Sequence, residues 1–187
     1  MRLGIFGGSF DPPHVGHLLV SADAFDALQL DRLIFVPASV QPLKAGKDSA
    51  SAVHRMEMVR RLVGDDPRFA VDPIEIDRDG LSYTVETLAA FAERYPDAKR
   101  FFLVGMDVLA SFAQWREPDR VLRLATLAVM QRTGERGPVP ASAIRIETRR
   151  VDVSSTEIRD RVKTGRRIRG FVPEAVAAYI AEQRLYR

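Results

Sequence analysis

The sequence predicts an α/β fold in which helices cover both faces of a doubly wound, mostly parallel sheet. Residues 3–6 and 101–104 are short apolar runs, as expected of strands that are buried on both faces. Around these runs, strand-like segments alternate with amphipathic helical segments, an order that favours right-handed parallel crossovers. The 187 residues suffice for one domain with a substantial core.

The N-terminal half contains the first predicted crossover. Its predicted elements are a strand at 3–6, a helix from 15 to about 28, a strand at 32–36, a helix at 53–63 and a strand at 69–76. Ser49 or Ser51 is expected to cap the second helix, and Pro73 to kink the last strand. Residues 38–52 are polar and long for a connection of this kind, which favours a functional loop.

The C-terminal half continues the alternation. Its predicted elements are a helix that is capped within 82–84 and ends before Pro96, a strand at 101–104, a helix at 118–124, a strand at 126–131, an edge strand at 144–146, a helix from 155 to before Gly165 and a last helix with Pro173 at its first position. Residues 132–143 are rich in glycine and proline, which indicates an exposed excursion. We expect one Rossmann-like domain over residues 1–187, whose helical C-terminal part begins at about residue 154.

Composition excludes several classes of protein. The chain contains no cysteine, which excludes disulfides, thiolate metal sites and cysteine nucleophiles. It lacks the G-x-x-x-x-G-K-[ST], G-x-G-x-x-G and G-x-S-x-G patterns, which argues against P-loop enzymes, dinucleotide dehydrogenases and serine hydrolases. No signal peptide and no apolar run of membrane-spanning length is evident, so we expect a cytoplasmic protein with no membrane partner.

The loop after the first strand predicts a phosphate site. Gly7 and Gly8 lack a Cβ and let a ligand approach the backbone, so Gly7, Gly8, Ser9 and Phe10 are expected near the bound phosphate. A helix that begins after His14 directs its N–H groups and its positive dipole end towards this turn. His14 and His17 share one face of its first turn, where imidazoles suit an oxygen that gains negative charge.

A second anion site is predicted where the helix after residue 154 begins. Ser154 and Glu157 form a capping-box pattern, which by itself is a common structural feature. Ser155, Thr156 and Arg159 add hydroxyl groups and a guanidinium that can hold phosphate oxygens. Two histidines, two helix N-termini and an arginine suit nucleotidyl transfer, which needs positioning and charge stabilisation. We expect Mg²⁺ held by the phosphates of the bound nucleotide and by water, and no protein metal ligand is predicted.

The two motifs also carry a family resemblance. GGSFDPPHVGH at residues 7–17 resembles the His-x-Gly-His loop of the nucleotidyltransferase superfamily, and SSTEIR at 154–159 resembles its second motif. Residues 77–88, 102–115 and 171–186 are similar to the bacterial nicotinate-nucleotide adenylyltransferases, so the resemblance covers nearly the whole chain. This resemblance implies transfer of the adenylyl group of ATP to nicotinate mononucleotide, which yields deamido-NAD and pyrophosphate in NAD biosynthesis.

The resemblance also implies roles for individual residues. His14 and His17 would be catalytic. The residues that bind ATP would be Gly7, Gly8, Ser9, Phe10, His14, His17, Gly105, Asp107, Ser155, Thr156 and Arg159. Lys44, Tyr83, Thr84, Asp107, Trp115 and Arg132 would bind the acceptor. Physical chemistry is compatible with two of these roles, because Trp115 offers an aromatic face to a pyridine ring and the helix that begins near Thr84 offers N–H groups to a carboxylate. The usual Pro-Pro-His-Lys of the family is Gln-Pro-Leu-Lys at 41–44, so the lysine is present as Lys44 and Leu43 replaces the histidine.

Three alternatives remain open from the sequence. The enzyme could accept nicotinamide mononucleotide instead of, or beside, the nicotinate form. The chain could sense adenine nucleotides without turnover, although the intact histidine pair argues against this. It could also bind nucleic acid through a basic cluster, which lacks interleaved aromatic residues and is partly explained by phosphate binding. This cluster contains Arg159, Arg161, Lys163, Arg166, Arg167 and Arg169. We expect no nucleic-acid partner, and a homo-oligomer remains open.

Overall fold

The structure, a computed structural model, describes residues 1–40, 50–78, 80–132 and 137–187, with Arg132 described in its backbone alone. Within these ranges, six parallel strands form one sheet in the order β3-β2-β1-β4-β5-β6. The strands are β1 (Arg2–Gly8), β2 (Arg32–Pro37), β3 (Phe69–Val71), β4 (Lys99–Gly105), β5 (Thr126–Arg132) and β6 (Ile144–Thr148). The predicted Rossmann-like fold is confirmed, and the described sheet is parallel throughout.

Eight α-helices connect and flank these strands in the described ranges. They are α1 (Val15–Ala27), α2 (Ala52–Val63), α3 (Ile74–Arg78), α4 (Thr84–Arg94), α5 (Met106–Leu109), α6 (Pro118–Leu124), α7 (Ser155–Lys163) and α8 (Glu174–Glu182). Ser51 caps α2 by accepting the N–H of His54, and Ser154 caps α7 by accepting the N–H of Glu157. In the described part of the chain, no helix is long and apolar enough to cross a membrane.

Side chains alternate across the sheet and build two apolar layers. Phe101 and Leu103 of β4 pack with α1, α2, α7 and α8 on one face. Phe102 and Val104 pack with α4, α5 and α6 on the other face. Because successive strand residues point to opposite faces, an uninterrupted apolar run supplies both layers. The C-terminal helices α7 and α8 belong to the same core as α1, which places the SSTEIR segment beside the N-terminal loop.

Two sequence predictions are wrong in detail. The predicted strand at 69–76 ends at Val71, because Asp72 Oδ1 accepts the N–H of Ile74 (3.0 Å) and the carbonyl of Pro73 accepts that of Ile76 (2.8 Å), which starts α3. Pro173 lies at the cap position of α8 and not at its first helical position.

The strand order reverses between β1 and β4, the two central strands. Connections from β1 run to β2 and β3 on one side, and β4 leads to β5 and β6 on the other. In open α/β sheets, ligands bind at the carboxyl ends of the strands beside such a reversal. Here β1 ends at Gly8 and β4 ends at Gly105, so two glycines border this crevice.

Candidate active site

Two clefts meet at the crevice between β1 and β4. The larger, of about 400 Å³, contains the predicted histidine pair, and the smaller, of about 130 Å³, contains Trp115. The walls that both clefts share are Phe6, Gly7, Gly8, Gly105 and Val108. Molecules bound in the two clefts would therefore meet beside the glycine backbone, with the side chains of Phe6 and Val108 also on the shared wall.

Tight packing explains why glycine occupies the end of β1. A Cβ at Gly8 would lie 2.9 Å from Cζ of the buried Phe10. A Cβ at Gly105 would lie 2.6 Å from Oδ1 of Asp107, whose exposed side chain can move aside. Phe10 has a positive φ of 49° and is buried, with its ring edge-on to those of Phe6 (5.5 Å) and His17 (5.1 Å). The loop backbone is thus folded closely over Phe10, which holds the ring of His17 from one side.

The two predicted catalytic histidines lie side by side. Their ring centroids are 3.8 Å apart, and the backbone N–H of His14 donates to Nδ1 of His17 (3.2 Å). Since Nδ1 accepts this bond, the neutral ring of His17 carries its proton on Nε2. Burial lowers the pKa of His14 from 6.5 to about 4, and burial together with the neighbouring His14 lowers the pKa of His17 well below its usual value. Both rings are neutral at pH 7 in the free protein.

Part of the predicted anion site at the start of α1 is already occupied. The N–H of Val15 donates to the carbonyl of Phe171 (3.0 Å), and that of His17 donates to the carbonyl of His14 (2.9 Å). The expectation that α1 presents free N–H groups to a ligand is therefore wrong for these two residues. A contact with the segment before α8 could not be read from local sequence.

The second motif, SSTEIR at 154–159, directly contacts the loop that links β1 to α1. Ser155 Oγ donates to the carbonyl of Pro12 (2.8 Å), and Arg159 Nη1 donates to that of Asp11 (2.7 Å). Arg159 Nη2 also donates to Oγ1 of Thr156 (3.2 Å). Ser155 lines the larger cleft, whereas Thr156 and Arg159 do not belong to its lining. The start of α7 therefore holds the loop in place, in addition to any contact with a ligand.

The smaller cleft combines an aromatic wall with the start of a helix. Trp115 packs edge-on against Phe102 (6.0 Å), and its indole N–H donates to Oγ of Ser111 (3.2 Å), which fixes the ring. Thr84, the first residue of α4, lines the same cleft. Tyr83 precedes it but does not belong to the lining, and its ring packs under the guanidinium of Arg116 at 4.7 Å.

Sequence reasoning missed a buried carboxylate in this smaller cleft. Glu75 is 7% exposed, and its Oε1 accepts the hydroxyl hydrogen of Thr87 (2.6 Å). Burial raises the pKa of Glu75, although hydrogen bonds from Thr87 and Ser82 oppose this shift. Its segment resembled a strand, and only the unpredicted helix α3 turns the side chain inwards.

Arg149 was also missed, in the wall of the larger cleft beside Thr148. Its guanidinium forms a two-pronged ion pair with Asp23 of α1, with Nη2 2.6 Å from Oδ1 and Nε 3.0 Å from each oxygen. The hydrogen bonds from Arg149 lower the pKa of Asp23. In the sequence, the adjacent Arg149 and Arg150 after the predicted edge strand were the feature that could have indicated this residue.

The remaining predicted residues are accounted for as follows. The larger cleft is lined by Gly7, Gly8, Ser9, Phe10, His14, His17, Gly105, Asp107 and Ser155. Lys44 and Leu43 lie outside the described residues, as does the side chain of Arg132 at the end of β5. Among the residues that the structure describes, no group of three or more His, Cys, Asp or Glu could hold a metal ion.

The basic cluster near α7 is partly neutralised within the chain. Arg161 pairs with Glu157 (3.0 Å) and lies over the ring of Phe171 (4.1 Å). Arg169 pairs with Glu174 (3.5 Å). These contacts account for two of its charges without nucleic acid, and the expectation of no nucleic-acid partner stays a prediction.

Comparison with known proteins places the chain in a family. A family model described as cytidylyltransferase-like matches residues 5–161. A protein of Gemmatimonas aurantiaca named "Probable nicotinate-nucleotide adenylyltransferase" is 51% identical over 197 residues, covering 100% of this chain and 93% of that protein. A Thermus thermophilus protein of the same name is 44% identical over 190 residues, covering 100% of each chain.

A solved structure shares the fold. The nicotinic acid mononucleotide adenylyltransferase of Plasmodium falciparum, solved in complexes with APC and with NaAD, superposes with a TM-score of 0.79 at 17% identity. The match covers 99% of this chain and at least 96% of the Plasmodium chain. At this identity the likeness establishes the fold alone, whereas the full-length relatives establish the family. The chain belongs to the nicotinate-nucleotide adenylyltransferases, within the cytidylyltransferase-like nucleotidyltransferases.

Proposed function

We propose that this chain transfers the adenylyl group of ATP to nicotinate mononucleotide, which forms deamido-NAD and pyrophosphate for NAD biosynthesis. The observation that carries the proposal is the meeting of two clefts across Gly7, Gly8 and Gly105, one with the histidine pair and one with Trp115. In-line transfer requires an acceptor on one side of the reacting phosphorus and a leaving group on the other, and this arrangement provides for both. Family membership and the NaAD complex of the Plasmodium enzyme support the same reaction.

The reaction needs no covalent enzyme intermediate. A phosphate oxygen of the mononucleotide forms a bond to the α-phosphorus of ATP, and the bond to the bridging oxygen of the β-phosphate breaks. Pyrophosphate leaves with that electron pair. We assign His14 and His17 to the oxygens that gain charge, because a neutral imidazole held in a buried site donates a directed hydrogen bond. In His17 the donor is Nε2–H, because Nδ1 accepts the backbone N–H of His14.

The other nucleotide contacts follow from the larger cleft. Backbone groups of Gly7, Gly8, Ser9 and Phe10 are proposed to pack against ATP, together with Gly105 and Asp107 at the end of β4. We assign Ser155, Thr156 and Arg159 to the phosphates. The guanidinium of Arg159 retains N–H groups beyond the two that contact Asp11 and Thr156. Arg159 would therefore bind the phosphate while it keeps its hydrogen bond to the carbonyl of Asp11.

The smaller cleft suits the nicotinate ring. The indole face of Trp115 is proposed to stack on the pyridine, and the N–H groups at Thr84 and Val85 to receive its carboxylate, favoured by the positive end of the α4 dipole. Glu75 also lines this cleft, where burial raises the pKa of its carboxyl and Thr87 donates a hydrogen bond to it. Lys44, Tyr83, Asp107 and Arg132 complete the proposed acceptor contacts.

The donor set fits a metal ion that arrives with the substrate. The described residues provide no cluster of ligands for a metal, while the triphosphate brings several oxygens into the larger cleft. We propose that Mg²⁺ is held by those oxygens and water, where it neutralises phosphate charge. The protein's own part is to orient the triphosphate through the loop, the histidines and α7.

The test is product formation from Mg-ATP with either mononucleotide, measured as pyrophosphate release and by chromatography of the dinucleotide. We expect kcat/KM for nicotinate mononucleotide to exceed that for nicotinamide mononucleotide by at least about tenfold, the worth of a charge-assisted hydrogen bond. Equal use of both would overturn the assignment of the α4 terminus but not adenylyl transfer. No release with either would overturn the proposed reaction and favour another acceptor or a nucleotide sensor.

A further inference from the structure

Tyr186, in the segment after α8, contacts the loop between β1 and α1 (residues 9–14). Its hydroxyl donates to Oδ1 of Asp11 at 2.7 Å, while its ring packs against the apolar layer formed by α1, α2, α7 and α8. Tyr186 adopts a φ of 63°, a left-handed conformation that turns the chain back towards the loop. Burial and the neighbouring Asp11 raise the pKa of Tyr186, so its hydroxyl stays protonated and acts as a donor.

Asp11 is held from several directions at once. Its side chain is buried, and Oδ1 also accepts the backbone N–H of Ala50 (3.1 Å), just before α2. Its carbonyl accepts from Arg159 of α7, whose Nη1 lies 3.9 Å from Oδ2. We call these four residues (Asp11, Ala50, Arg159 and Tyr186) the Asp11 network. Through it, three separate parts of the chain fix one residue of the loop.

The position of Asp11 determines that of the histidines. Two prolines, Pro12 and Pro13, lie between Asp11 and His14, and their fixed φ angles transmit a displacement with little bending. A buried carboxylate that loses a donor is less well stabilised and tends to move towards water. A shift of Asp11 would therefore carry His14, whose N–H orients His17.

We propose that Tyr186 is a positioning residue for adenylyl transfer, because its hydroxyl holds the Asp11 carboxylate and thereby sets the place of the histidine pair. This inference rests on the proposed function. Tyr186 belongs to neither cleft lining, so its effect falls on the geometry of the loop and not on contact with the acceptor. Its removal should lower kcat while leaving the KM for the mononucleotide nearly unchanged.

The experiment compares Tyr186→Phe with a matched control, Tyr179→Phe. Tyr179 lies on α8, is buried, and its hydroxyl lies 2.9 Å from Nδ1 of His54, so the same chemical change is made away from the loop. We expect kcat to fall about tenfold in Tyr186→Phe. We expect a change in kcat of less than about twofold in Tyr179→Phe, at a comparable loss of thermal stability.

A double-mutant cycle tests whether Tyr186 acts through Asp11. In an Asp11→Asn background, Tyr186→Phe should lower kcat by less than about threefold, because the charged acceptor is already gone. An equal fall in both backgrounds overturns the proposal, and so does a kcat of Tyr186→Phe within twofold of wild type. A KM for the mononucleotide that rises in proportion to the fall in kcat also overturns it.

Hydrogen exchange without substrates separates this proposal from the proposed reaction. The amide of Ala50 donates to Asp11, and the amide of His14 donates to His17. Both amides should therefore exchange faster in Tyr186→Phe than in wild type or Tyr179→Phe. If wild type shows no turnover, the proposed function fails, and exchange alone decides whether Tyr186 holds the loop. Unchanged exchange at both amides overturns that role.

Discussion

Gly16→Ala offers a direct test of how the histidine pair is packed. A Cβ at Gly16 would lie 2.9 Å from Nδ1 and 3.0 Å from Cε1 of His14, and 3.5 Å from Cγ1 of Val151. His14 is 8% exposed, so its ring has little room to move. Overpacking of this kind costs about 1–3 kcal/mol, whereas alanine in a helix gains at most about 1 kcal/mol over glycine. We expect a net loss of about 0–3 kcal/mol in the free energy of unfolding.

We expect Gly16→Ala to lower activity as well as stability. To relieve the contact, the His14 ring must shift by several tenths of an ångström, and the backbone N–H that orients His17 moves with it. Misplacement of a catalytic group by about 1 Å can cost about 100-fold in rate. Because the shift is smaller than 1 Å, we expect kcat to fall by about 5- to 30-fold, measured as pyrophosphate release at saturating substrates.

Gly16→Ala in a His14→Ala protein tests whether the contact with the His14 ring causes the loss of stability. In His14→Ala, the clashing ring is absent, so adding Gly16→Ala should leave the free energy of unfolding unchanged or raise it by up to about 1 kcal/mol. Urea unfolding of the four proteins measures this. A destabilisation that persists without the His14 ring, or a Gly16→Ala enzyme with kcat within twofold of wild type, would refute the reasoning.

Three further predictions follow from burial and contacts. The pKa of His14 is about 4 in the folded protein against 6.5 unfolded, so the contribution of His14 to stability is fully present above pH 6.5 and falls by about 3 kcal/mol as pH drops towards 4. His14→Gln should therefore lose less stability than wild type over this range in urea unfolding. Trp115→Ala should raise the KM for nicotinate mononucleotide about tenfold, with the KM for ATP within twofold, in steady-state assays. Arg55 is buried and donates to the carbonyls of Ser9, Ser39 and Ala50 at 2.8–3.0 Å, so Arg55→Lys should cost about 2–4 kcal/mol in urea unfolding.

Each of these predictions has a clear contrary result. Equal pH slopes for wild type and His14→Gln would show that His14 is not the group that takes up the proton on unfolding. A rise in the KM for ATP equal to that for the mononucleotide would contradict the proposed stacking of Trp115 on the acceptor. An Arg55→Lys protein within about 0.5 kcal/mol of wild type would mean that lysine replaces the three hydrogen bonds.

Local sequence predicted most of the fold because the apolar pattern is strong. The run at 101–104 supplies both faces of the sheet, so its burial follows from composition alone. The prediction of a strand at 69–76 was wrong because the side chain of Asp72 caps a helix there, which competes with strand pairing. The spacing of apolar residues does not reveal such a cap. The boundary error then concealed Glu75, which reaches the smaller cleft only from a helix.

The candidate site was predictable where one segment provides it. The glycine loop and the two histidines lie within one short stretch, and their proximity needs no tertiary information. Contacts between distant segments were not predictable, such as Tyr186 with Asp11 at a separation of 175 residues. The same limit applies to Arg149 with Asp23 and to the occupied N–H of Val15.

The central claim is that the buried histidine pair stabilises charge during adenylyl transfer, and His17→Ala tests it most directly. His54, the third histidine of the chain, provides the matched control His54→Ala. With Mg-ATP and nicotinate mononucleotide at saturation, we expect kcat to fall by about 100- to 1,000-fold in His17→Ala, with an intact far-ultraviolet spectrum, and by less than about twofold in His54→Ala. A His17→Ala enzyme that turns over within tenfold of wild type would contradict the claim.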